Sequence, residues 1–357
     1  MANDNKIKVL VVDDSALMRG MLTEMLEEDP QIEVVGSAPD PHYAREKIKK
    51  LNPDVVTLDV EMPRMDGLSF LEKIMTLRPM PVVMVSSLTQ KNADATFQAL
   101  ELGAVDFVAK PQSDLEHELV NMRDEICTKV KAAAHARVAA RSGSDAPKPV
   151  VASTRKGYAT TERIIAIGAS TGGVEALRET ICRMPADSPA ILMTQHMPEK
   201  FTSSFADRLN GIAAMTVKEA RDGDRIMPGH AYLAPGDRHL ELMRSGADYR
   251  CKLTDEPPYS GHRPSVDVLF HSVAKNAGQN AIGVILTGMG RDGAEGLLAI
   301  REAGGLTLGQ DEQTCVVYGM PKVAFENGGV MKQLPLGKIA DGILDLCGDK
   351  KTRLIRV

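Results

Sequence analysis

The chain has few cysteines, and none of them falls in a pattern that binds metal. Five cysteines are scattered through 357 residues without a C-x-x-C pair. This usage is typical of reduced thiols in a cytoplasmic protein and argues against a cysteine-based zinc site. No apolar run approaches the ~20 residues of a membrane helix, and the first residues lack the hydrophobic region of a signal peptide. We therefore expect a cytoplasmic protein that is not inserted in a membrane.

Strong charge of one sign is also missing. The net charge is −5 and the pI is about 6.0, so neither a nucleic-acid partner nor a membrane surface is indicated. Hydrophobic residues make up 43% and charged residues 25%, which is typical of a soluble globular protein. Because 357 residues exceed what a single core usually supports, two domains are expected.

A glycine-rich stretch lacks the G-x-G-x-x-G spacing of a dinucleotide-binding loop, which argues against a Rossmann-type dehydrogenase. Its buried-strand pattern ends at Gly168, and Ser170, Gly172 and Gly173 precede a helical pattern. Sites in parallel sheets lie at such strand ends, and a helix start favours nearby negative charge. Ser170 is therefore a candidate nucleophile if a base and an acid join it, and otherwise a helix N-cap.

The first domain, 1–128, alternates apolar strand patterns with helical periods. Strands are predicted at 8–12, 32–37, 55–58, 82–85 and 107–109, and helices at 16–27, 41–51, 68–77, 92–102 and 115–131. Five βα units predict a doubly wound parallel sheet of the flavodoxin-like (βα)5 class.

Charged side chains follow the predicted strands of this domain. Asp13 and Asp14 follow the first strand, Asp59 the third and Lys110 the fifth. Because parallel strand ends converge, the three carboxylates would repel one another, and Mg²⁺ would relieve that repulsion. With Mg²⁺ and the positively charged Lys110 beside it, Asp59 can attack a phosphoryl group and form an aspartyl phosphate. Ser86, after the fourth strand, can then donate a hydrogen bond to the phosphoryl oxygens.

This order of residues resembles the response-regulator receiver family. The resemblance implies that Asp59 accepts a phosphoryl group and that Ser86, Phe107 and Lys110 respond to it. Many receivers have a tyrosine at the aromatic position, so Phe107 keeps the ring and lacks the hydroxyl.

The same resemblance implies a site for the Mg²⁺ ion that phosphorylation of Asp59 requires. The family holds its metal on an acid matching Asp14, on Asp59 and on the carbonyl two residues later, here Glu61. Asp13, the other member of the acidic pair, is included in the predicted site.

A linker is predicted at 129–157. The fifth helix continues into it, and the chain then loses any core pattern, with seven lysines and arginines against Asp145. Such a composition favours a flexible tether with a root-mean-square span of ~30 Å. Electrostatic docking between domains or onto an acidic partner is the alternative.

The second domain, 158–357, is predicted to be a doubly wound, mainly parallel α/β domain. Strands are predicted at 164–168, 191–194, 215–219, 231–234, 282–287 and 306–310, and helices at 174–183, 201–209, 266–276, 294–303 and 338–347. The residues between 212 and 254 are expected to form short strands and turns.

This domain contains a serine, a histidine and an aspartate, the residue types of a catalytic triad, at corresponding positions. Ser170, His196 and Asp292 each follow the carboxyl end of a different apolar strand. A parallel sheet brings those ends to one edge, which is the convergence that a triad needs. Taken singly, His196 has a structural explanation and Asp292 can be the N-cap of the next helix.

Other histidines offer weaker constellations. His262, Ser265 and Asp267 lie within six residues and cannot readily form a triad among themselves, although they could touch a substrate. Ser265 is predicted to cap the following helix. His230 and His239 are predicted in surface turns.

The segments 168–173, 194–198, 262–267 and 287–293 are similar to the chemotaxis methylesterase family. The resemblance implies a phosphorylation-regulated hydrolase that removes methyl esters from chemoreceptor glutamates, releases methanol and deamidates receptor glutamines. It implies Ser170 as nucleophile, His196 as base, Asp292 as orienting acid and the Met289 backbone N–H as oxyanion donor. It further implies chemoreceptors as substrates, the chemotaxis histidine kinase CheA as phosphodonor, and no cofactor for the ester chemistry.

The alternative function is a transcriptional response regulator with an atypical output domain. Such proteins usually have a small, basic helix-turn-helix output of ~60–100 residues. The predicted second domain is about twice that size, is α/β and is not basic.

Overall fold

In a computed structural model of the chain, the described residues are 6–62, 66–87, 90–111, 116–136, 138 and 163–348. The chain divides into two compact units, Met1–Ala146 and Pro147–Val357. Most of the predicted linker lies outside the described residues, so the domain bounds proposed from the sequence stay predictions. No helix in the described part is both long enough and apolar enough to cross a membrane.

In the described part of the first unit, strands and helices alternate along the chain. The elements are β1 (Ile7–Val12), α1 (Ala16–Glu27), β2 (Ile32–Ala38), α2 (Pro41–Leu51), β3 (Val55–Asp59), α3 (Gly67–Leu77), β4 (Val82–Ser86), α4 (Gln90–Leu102), β5 (Asp106–Ala109) and α5 (Glu116–Ala134). The strands form one parallel sheet in the order β2-β1-β3-β4-β5. This confirms the predicted doubly wound fold.

The elements of this unit follow directly from local sequence. Residues 9–12 of β1 are apolar and fully buried, as expected for a central parallel strand covered on both faces. The Ser15 hydroxyl accepts the N–H of Met18 and begins α1, whose buried face includes Leu22 and Leu26. These elements leave the carboxyl end of β1 free to present Asp13 and Asp14.

The second unit contains a larger sheet. Its elements are β6 (Ile164–Ala169), α6 (Gly173–Ile181), β7 (Ala190–Gln195), α7 (Glu199–Ile212), β8 (Thr216–Glu219), β9 (His230–Leu233), β10 (His239–Ser245), β11 (Asp248–Thr254), α8 (Val266–Ala277), β12 (Ala281–Ile285), α9 (Ala294–Glu302), β13 (Leu306–Gln310), α10 (Met320–Glu326), β14 (Lys332–Leu334) and α11 (Leu336–Gly348). The strand order is β14-β13-β12-β6-β7-β9-β8, and every pair is parallel.

The strand order places a topological switch point at β6. The chain leaves β6 toward β7 on one side and later returns to β12 on the other side. Ligand sites in open parallel sheets lie at such switch points, outside the carboxyl ends of the strands. The predicted mainly parallel, doubly wound architecture is thus confirmed.

Four elements were either not predicted or predicted without bounds. The strands β10 and β11 form an antiparallel hairpin whose turn contains Gly246 at φ +61°. Much of the hairpin is half-buried or exposed, so its apolar pattern is weak. The short α10 and β14 were not predicted, because neither is long enough to show a clear period.

One glycine allows a helix to lie against the end of the central strand. A Cβ on Gly168 in β6 would lie 2.1 Å from Val266 Cγ1, at the start of α8. Since real atoms do not approach so closely, the helix start and the strand end can meet only when residue 168 has no side chain.

We expect Gly168→Ala to destabilise the second unit by about 1–3 kcal/mol, because the methyl group must push α8 away from β6. Gly211→Ala, in α7, is the matched control, since a Cβ there has nothing within 4 Å. It should instead be neutral or stabilise by up to about 1 kcal/mol. Urea unfolding followed by circular dichroism measures both. Equal stability of Gly168→Ala and wild type would contradict the close contact.

Candidate functional site

The turn after β6 presents Ser170 at the edge of the sheet. The Ser170 N–H donates to the Thr287 carbonyl at 3.0 Å, and the Ser170 carbonyl accepts the Gly173 N–H at 2.6 Å. The N-cap of α6 is Gly172, at φ +77°, and no side chain caps this helix. The alternative that Ser170 is a helix cap is therefore wrong, and its hydroxyl is available for another partner.

Ser170, His196 and Asp292 form a hydrogen-bonded chain. Ser170 Oγ lies 3.1 Å from His196 Nδ1, and His196 Nε2 lies 2.8 Å from Asp292 Oδ2. The three residues follow β6, β7 and β12, which are neighbours in the sheet. The Asp292 side chain is 1% exposed and that of His196 10%, so the polar chain runs from the interior toward the surface. This arrangement can activate a serine as a nucleophile.

The carboxylate of Asp292 sits on the N-terminus of α8. Its Oδ2 accepts the Val266 N–H at 2.7 Å, and its Oδ1 accepts the Asp267 N–H at 3.0 Å. The Ser265 hydroxyl also donates to Oδ1, at 2.7 Å. The alternative that Asp292 caps the helix that follows it is wrong, because Gly293 is the N-cap of α9. Asp292 binds the start of a different helix.

This environment favours the charged form of Asp292. Burial acts to raise its pKa, but the hydrogen bond and charge of His196 and the N–H groups of Asp267 and Val266 outweigh that effect and lower the pKa to about 2. The helix dipole acts in the same direction. Asp292 can therefore stay ionised beside the imidazole and support its positive charge.

Asp267, in the first turn of α8, makes the corresponding contact with α9. Its Oδ1 accepts the Gly296 N–H, in the first turn of α9, at 2.7 Å. Asp292, just before α9, thus binds the N-terminus of α8, and Asp267, in the first turn of α8, binds the N-terminus of α9. Burial raises the pKa of Asp267 to about 6, against the Gly296 hydrogen bond and with a further rise from the charge of Asp292.

His262 lies against the face of the His196 ring. The two ring centroids are 3.7 Å apart, and the planes differ by 15°. The segment 262–267 therefore joins the site through the His262 ring, the Ser265 hydroxyl and the N–H groups of Val266 and Asp267. The sequence signal was its family motif, which did not indicate what each residue would contact.

The predicted position of His239 in a surface turn is wrong. His239 begins β10 and is 1% exposed. Its Nδ1 accepts the Ser265 N–H, and its Nε2 donates to the Pro257 carbonyl, both at 3.1 Å. His230 begins β9 and is half-buried, with Nδ1 3.0 Å from the Pro228 carbonyl.

Gln195 is a further residue that sequence reasoning missed. It is the last residue of β7 and is buried. Its Nε2 donates to the Ser170 carbonyl at 2.9 Å and to the His196 carbonyl at 3.2 Å. One amide group therefore joins the backbone of two residues of the hydrogen-bonded chain.

Met289 lies in the turn beside Ser170. A Cβ on Gly288 would lie 2.8 Å from Ser170 Cβ, so this turn and the nucleophile turn are in close contact. The Gly288 carbonyl accepts the N–H groups of Gly319 and Met320 at 3.1 and 2.8 Å. The turn that carries Met289 is thus held in place from a separate segment of the chain.

The first unit brings its predicted acids together at the end of its own sheet. Carboxylate oxygens of Asp13, Asp14 and Asp59 lie within 4.8 Å of one another. Lys110 Nζ lies 2.8 Å from both Asp13 Oδ2 and Asp59 Oδ2. Asp13 and Asp59 are buried and Asp14 is exposed. The Glu61 N–H donates to Asp59 Oδ1 at 3.3 Å, which places its backbone beside the cluster.

Burial raises the pKa of Asp59 to about 6; Lys110 opposes the rise, and the charge of Asp13 adds to it. The single positive charge of Lys110 does not balance the carboxylates of Asp13, Asp14 and Asp59. A set of carboxylate oxygens with one side open to solvent suits a hard divalent cation that keeps part of its water, as Mg²⁺ does. The residues present therefore fit a magnesium ion.

Ser86 lies beside Lys110, and Phe107 lies in β5, the strand that Lys110 follows. Ser86 ends β4 and is fully buried, and its carbonyl accepts the Lys110 N–H at 2.8 Å. Phe107 is 2% exposed, so its ring points into the unit. Lys129 Nζ lies 5.0 Å from the centroid of that ring and donates to the Phe107 carbonyl.

Comparison with known proteins matches each unit separately. The model of the response regulator receiver domain matches residues 9–121, and that of the CheB methylesterase matches 165–343. A protein-glutamate methylesterase/protein-glutamine glutaminase of Xanthomonas campestris is 56% identical over 354 residues, which cover 97% of this chain and 99% of that protein. One of Escherichia coli K12 is 57% identical over 340 residues, 95% of this chain and 97% of that protein.

A solved structure matches the second unit. The crystal structure of the Thermotoga maritima CheB methylesterase catalytic domain covers 52% of this chain and 100% of its own, with 39% identity and a TM-score of 0.51. A receiver fold joined to a parallel α/β unit with a serine, a histidine and an aspartate in hydrogen-bond contact defines a response regulator with a hydrolase-type output. The chain belongs to the CheB methylesterase family.

The pKa of Asp292 predicts a pH-dependent contribution to stability. Because the folded-state pKa is about 2 and the unfolded value is about 3.9, the contribution is complete above pH ~4 and is lost as the pH falls toward ~2. We expect Asp292→Asn to cost roughly 2 kcal/mol at pH 7 and progressively less below pH ~4.

Denaturant unfolding of both proteins between pH 7 and pH ~2.5 measures this difference. Asp341→Asn is the control, since Asp341 is an exposed acid paired with Lys338 on α11. Its difference from wild type should stay small at every pH. A stability loss in Asp292→Asn that does not change with pH would contradict the lowered pKa.

Proposed function

We propose that the chain hydrolyses γ-glutamyl methyl esters on chemoreceptors, releasing methanol, and deamidates receptor glutamines to glutamate. Ser170, His196 and Asp292 are the proposed catalytic residues. The observation that carries the proposal is their unbroken chain of hydrogen bonds, 3.1 and 2.8 Å long. The membership of the chain in a family whose relatives are named for both activities gives the substrate class.

The proposed reaction has two steps. Ser170 Oγ attacks the ester carbonyl while its proton passes to His196 Nδ1, and the imidazolium is stabilised by Asp292. His196 then protonates the departing methoxide, so methanol leaves and the glutamyl group stays on Ser170 as an ester. Water, deprotonated by His196, attacks that ester and releases the glutamate side chain with the serine hydroxyl restored. With a glutamine substrate the leaving group is ammonia.

We assign the oxyanion to a backbone donor in the turn that carries Met289. The contact between Gly288 and Ser170 brings this turn beside the nucleophile. The bonds from Gly319 and Met320 to the Gly288 carbonyl hold it fixed before reaction. A fixed N–H group aimed at the developing negative charge stabilises the transition state more than the ground state.

In the receiver unit, Asp59 is the proposed phosphate acceptor. Asp13, Asp14, Asp59 and the carbonyl of Glu61 would hold Mg²⁺, which neutralises charge on the phosphoryl group when it is bound. Lys110 contributes a second positive charge at the same carboxylates.

The proposed response to the phosphate runs through Ser86, at the end of β4, and Phe107, in β5. The chemotaxis histidine kinase, CheA, is the proposed phosphodonor, and phosphate on Asp59 is proposed to raise the hydrolytic rate. A cytoplasmic location fits a sequence whose five scattered cysteines include no C-x-x-C pair. The alternative of a transcriptional regulator has less support, since the output unit is built on a seven-stranded parallel sheet.

Methanol release from methylated receptor membranes tests the proposed chemistry. We expect wild type to release methanol and Ser170→Ala to lose kcat by a factor on the order of 10⁶, because the nucleophile is gone. Ser188→Ala, which removes another buried hydroxyl bonded to a carbonyl outside the site, is the control and should stay active. Methanol release by Ser170→Ala at the wild-type rate would refute the assignment.

The regulatory role of Asp59 has its own test. A small-molecule phosphodonor with Mg²⁺ should raise methanol release by wild type and have no such effect on Asp59→Ala. Asp54→Asn is the matched control, because Asp54 lies at the opposite end of β3, where it accepts the Lys8 N–H. It should keep the response. An undiminished response in Asp59→Ala would show that the phosphate acts elsewhere.

A further inference from the structure

The carboxylate of Asp292 has a buried partner that the proposed reaction does not use. Ser265 is fully buried, and its hydroxyl donates to Asp292 Oδ1 at 2.7 Å. His196 binds the other oxygen, Oδ2. Ser265 and His196 thus bind different oxygens of the same carboxylate.

We propose that Ser265 is a positioning residue of the hydrolytic site: it fixes the rotation of the Asp292 carboxylate so that Oδ2 faces His196. This inference rests on the proposed function, because it assigns Ser265 a part in that reaction. Ser265 does not touch the substrate and acts only through Asp292.

The hydrogen-bond distances favour this role over simple helix capping. The capping bond, from the Val268 N–H to Ser265 Oγ, is 3.4 Å long, whereas the bond to Asp292 is 2.7 Å. An ionised carboxylate can only accept, so the single hydroxyl proton is committed to it. Hydrogen bonds to a charged group are the stronger class. The Ser265 hydroxyl therefore donates its hydrogen bond to the carboxylate and caps α8 only weakly.

A second buried residue keeps Ser265 in place. The Ser265 N–H donates to His239 Nδ1 at 3.1 Å, and His239 Nε2 donates to the Pro257 carbonyl at 3.1 Å. Both ring nitrogens are occupied, which fixes the tautomer of His239. The hydroxyl of Ser265 is therefore supported by backbone and ring contacts that do not depend on the reaction.

Loss of the hydroxyl should weaken the reaction without abolishing it. Asp292 Oδ1 keeps the Asp267 N–H, and Oδ2 keeps the Val266 N–H. The remaining bonds hold the carboxylate less firmly while His196 carries its positive charge in the transition state. We expect about a tenfold loss of kcat with KM unchanged, the lower end for a hydrogen bond to a charged group.

The test uses the full chain with Ser265→Ala and Ser265→Gly. Glycine is accepted at an N-cap at little cost in stability, so Ser265→Gly removes the donor and keeps the helix start. The matched control is Ser272→Ala on the same helix, whose buried hydroxyl accepts the Leu242 N–H and donates to the Leu269 carbonyl. Both Ser265 variants should lose kcat about tenfold, whereas Ser272→Ala should keep it.

A double-mutant comparison shows whether the effect runs through Asp292. In the Asp292→Asn background, Ser265→Gly should cause no further loss of kcat, since residues that act as one unit are not additive. A further tenfold loss there, an unchanged kcat in both single variants, or an equal loss in Ser272→Ala would each overturn the proposal.

A spectroscopic measurement keeps the proposal separate from the proposed function. The resonance of the His196 Nε2 proton, which is shared with Asp292, should move in Ser265→Gly and stay in place in Ser272→Ala. If wild type released no methanol, the proposed function would fail while this measurement still decided the position of Asp292. An unmoved resonance in Ser265→Gly would overturn the role of Ser265.

Discussion

The catalytic unit depends on one buried carboxylate, which binds the N-terminus of a helix that comes before it in the chain. Asp292 comes after β12, yet it accepts N–H groups from the first turn of α8. Those bonds offset the cost of burying a charge. The hydrogen bond and charge of His196, together with those N–H groups, lower the pKa of Asp292 to about 2. The strand order then places His196 and Ser170 beside it. Without the helix start, less would oppose the effect of burial, and the pKa of Asp292 would be higher.

The two units show how surroundings decide the chemistry of an aspartate at a strand end. Asp59 lies beside two other carboxylates and one lysine, and burial raises its pKa to about 6. Asp292 faces helix N–H groups and an imidazole, which hold its pKa low. The first environment suits a group that recruits a metal and accepts a phosphoryl group. The second suits a permanent negative charge that supports a cationic base.

The sequence was informative wherever a side chain follows a buried parallel strand. Apolar runs located β6, β7 and β12, and geometry required the residues after them to share an edge. The contacts of Ser265 and His239 could not be predicted, because they arise when α8 and the β10–β11 hairpin pack together. The sequence prediction placed His239 wrongly for the same reason, because charged residues precede it in the chain while its ring is held by Ser265 and Pro257.

The most direct test of the central claim is the steady-state rate of methanol release by Asp292→Asn. The asparagine keeps the shape of the side chain and removes the charge that the helix start stabilises. We predict that kcat falls by a factor on the order of 10⁴ while KM changes little, as expected when the imidazole loses its orienting carboxylate. A kcat equal to that of wild type would contradict the account.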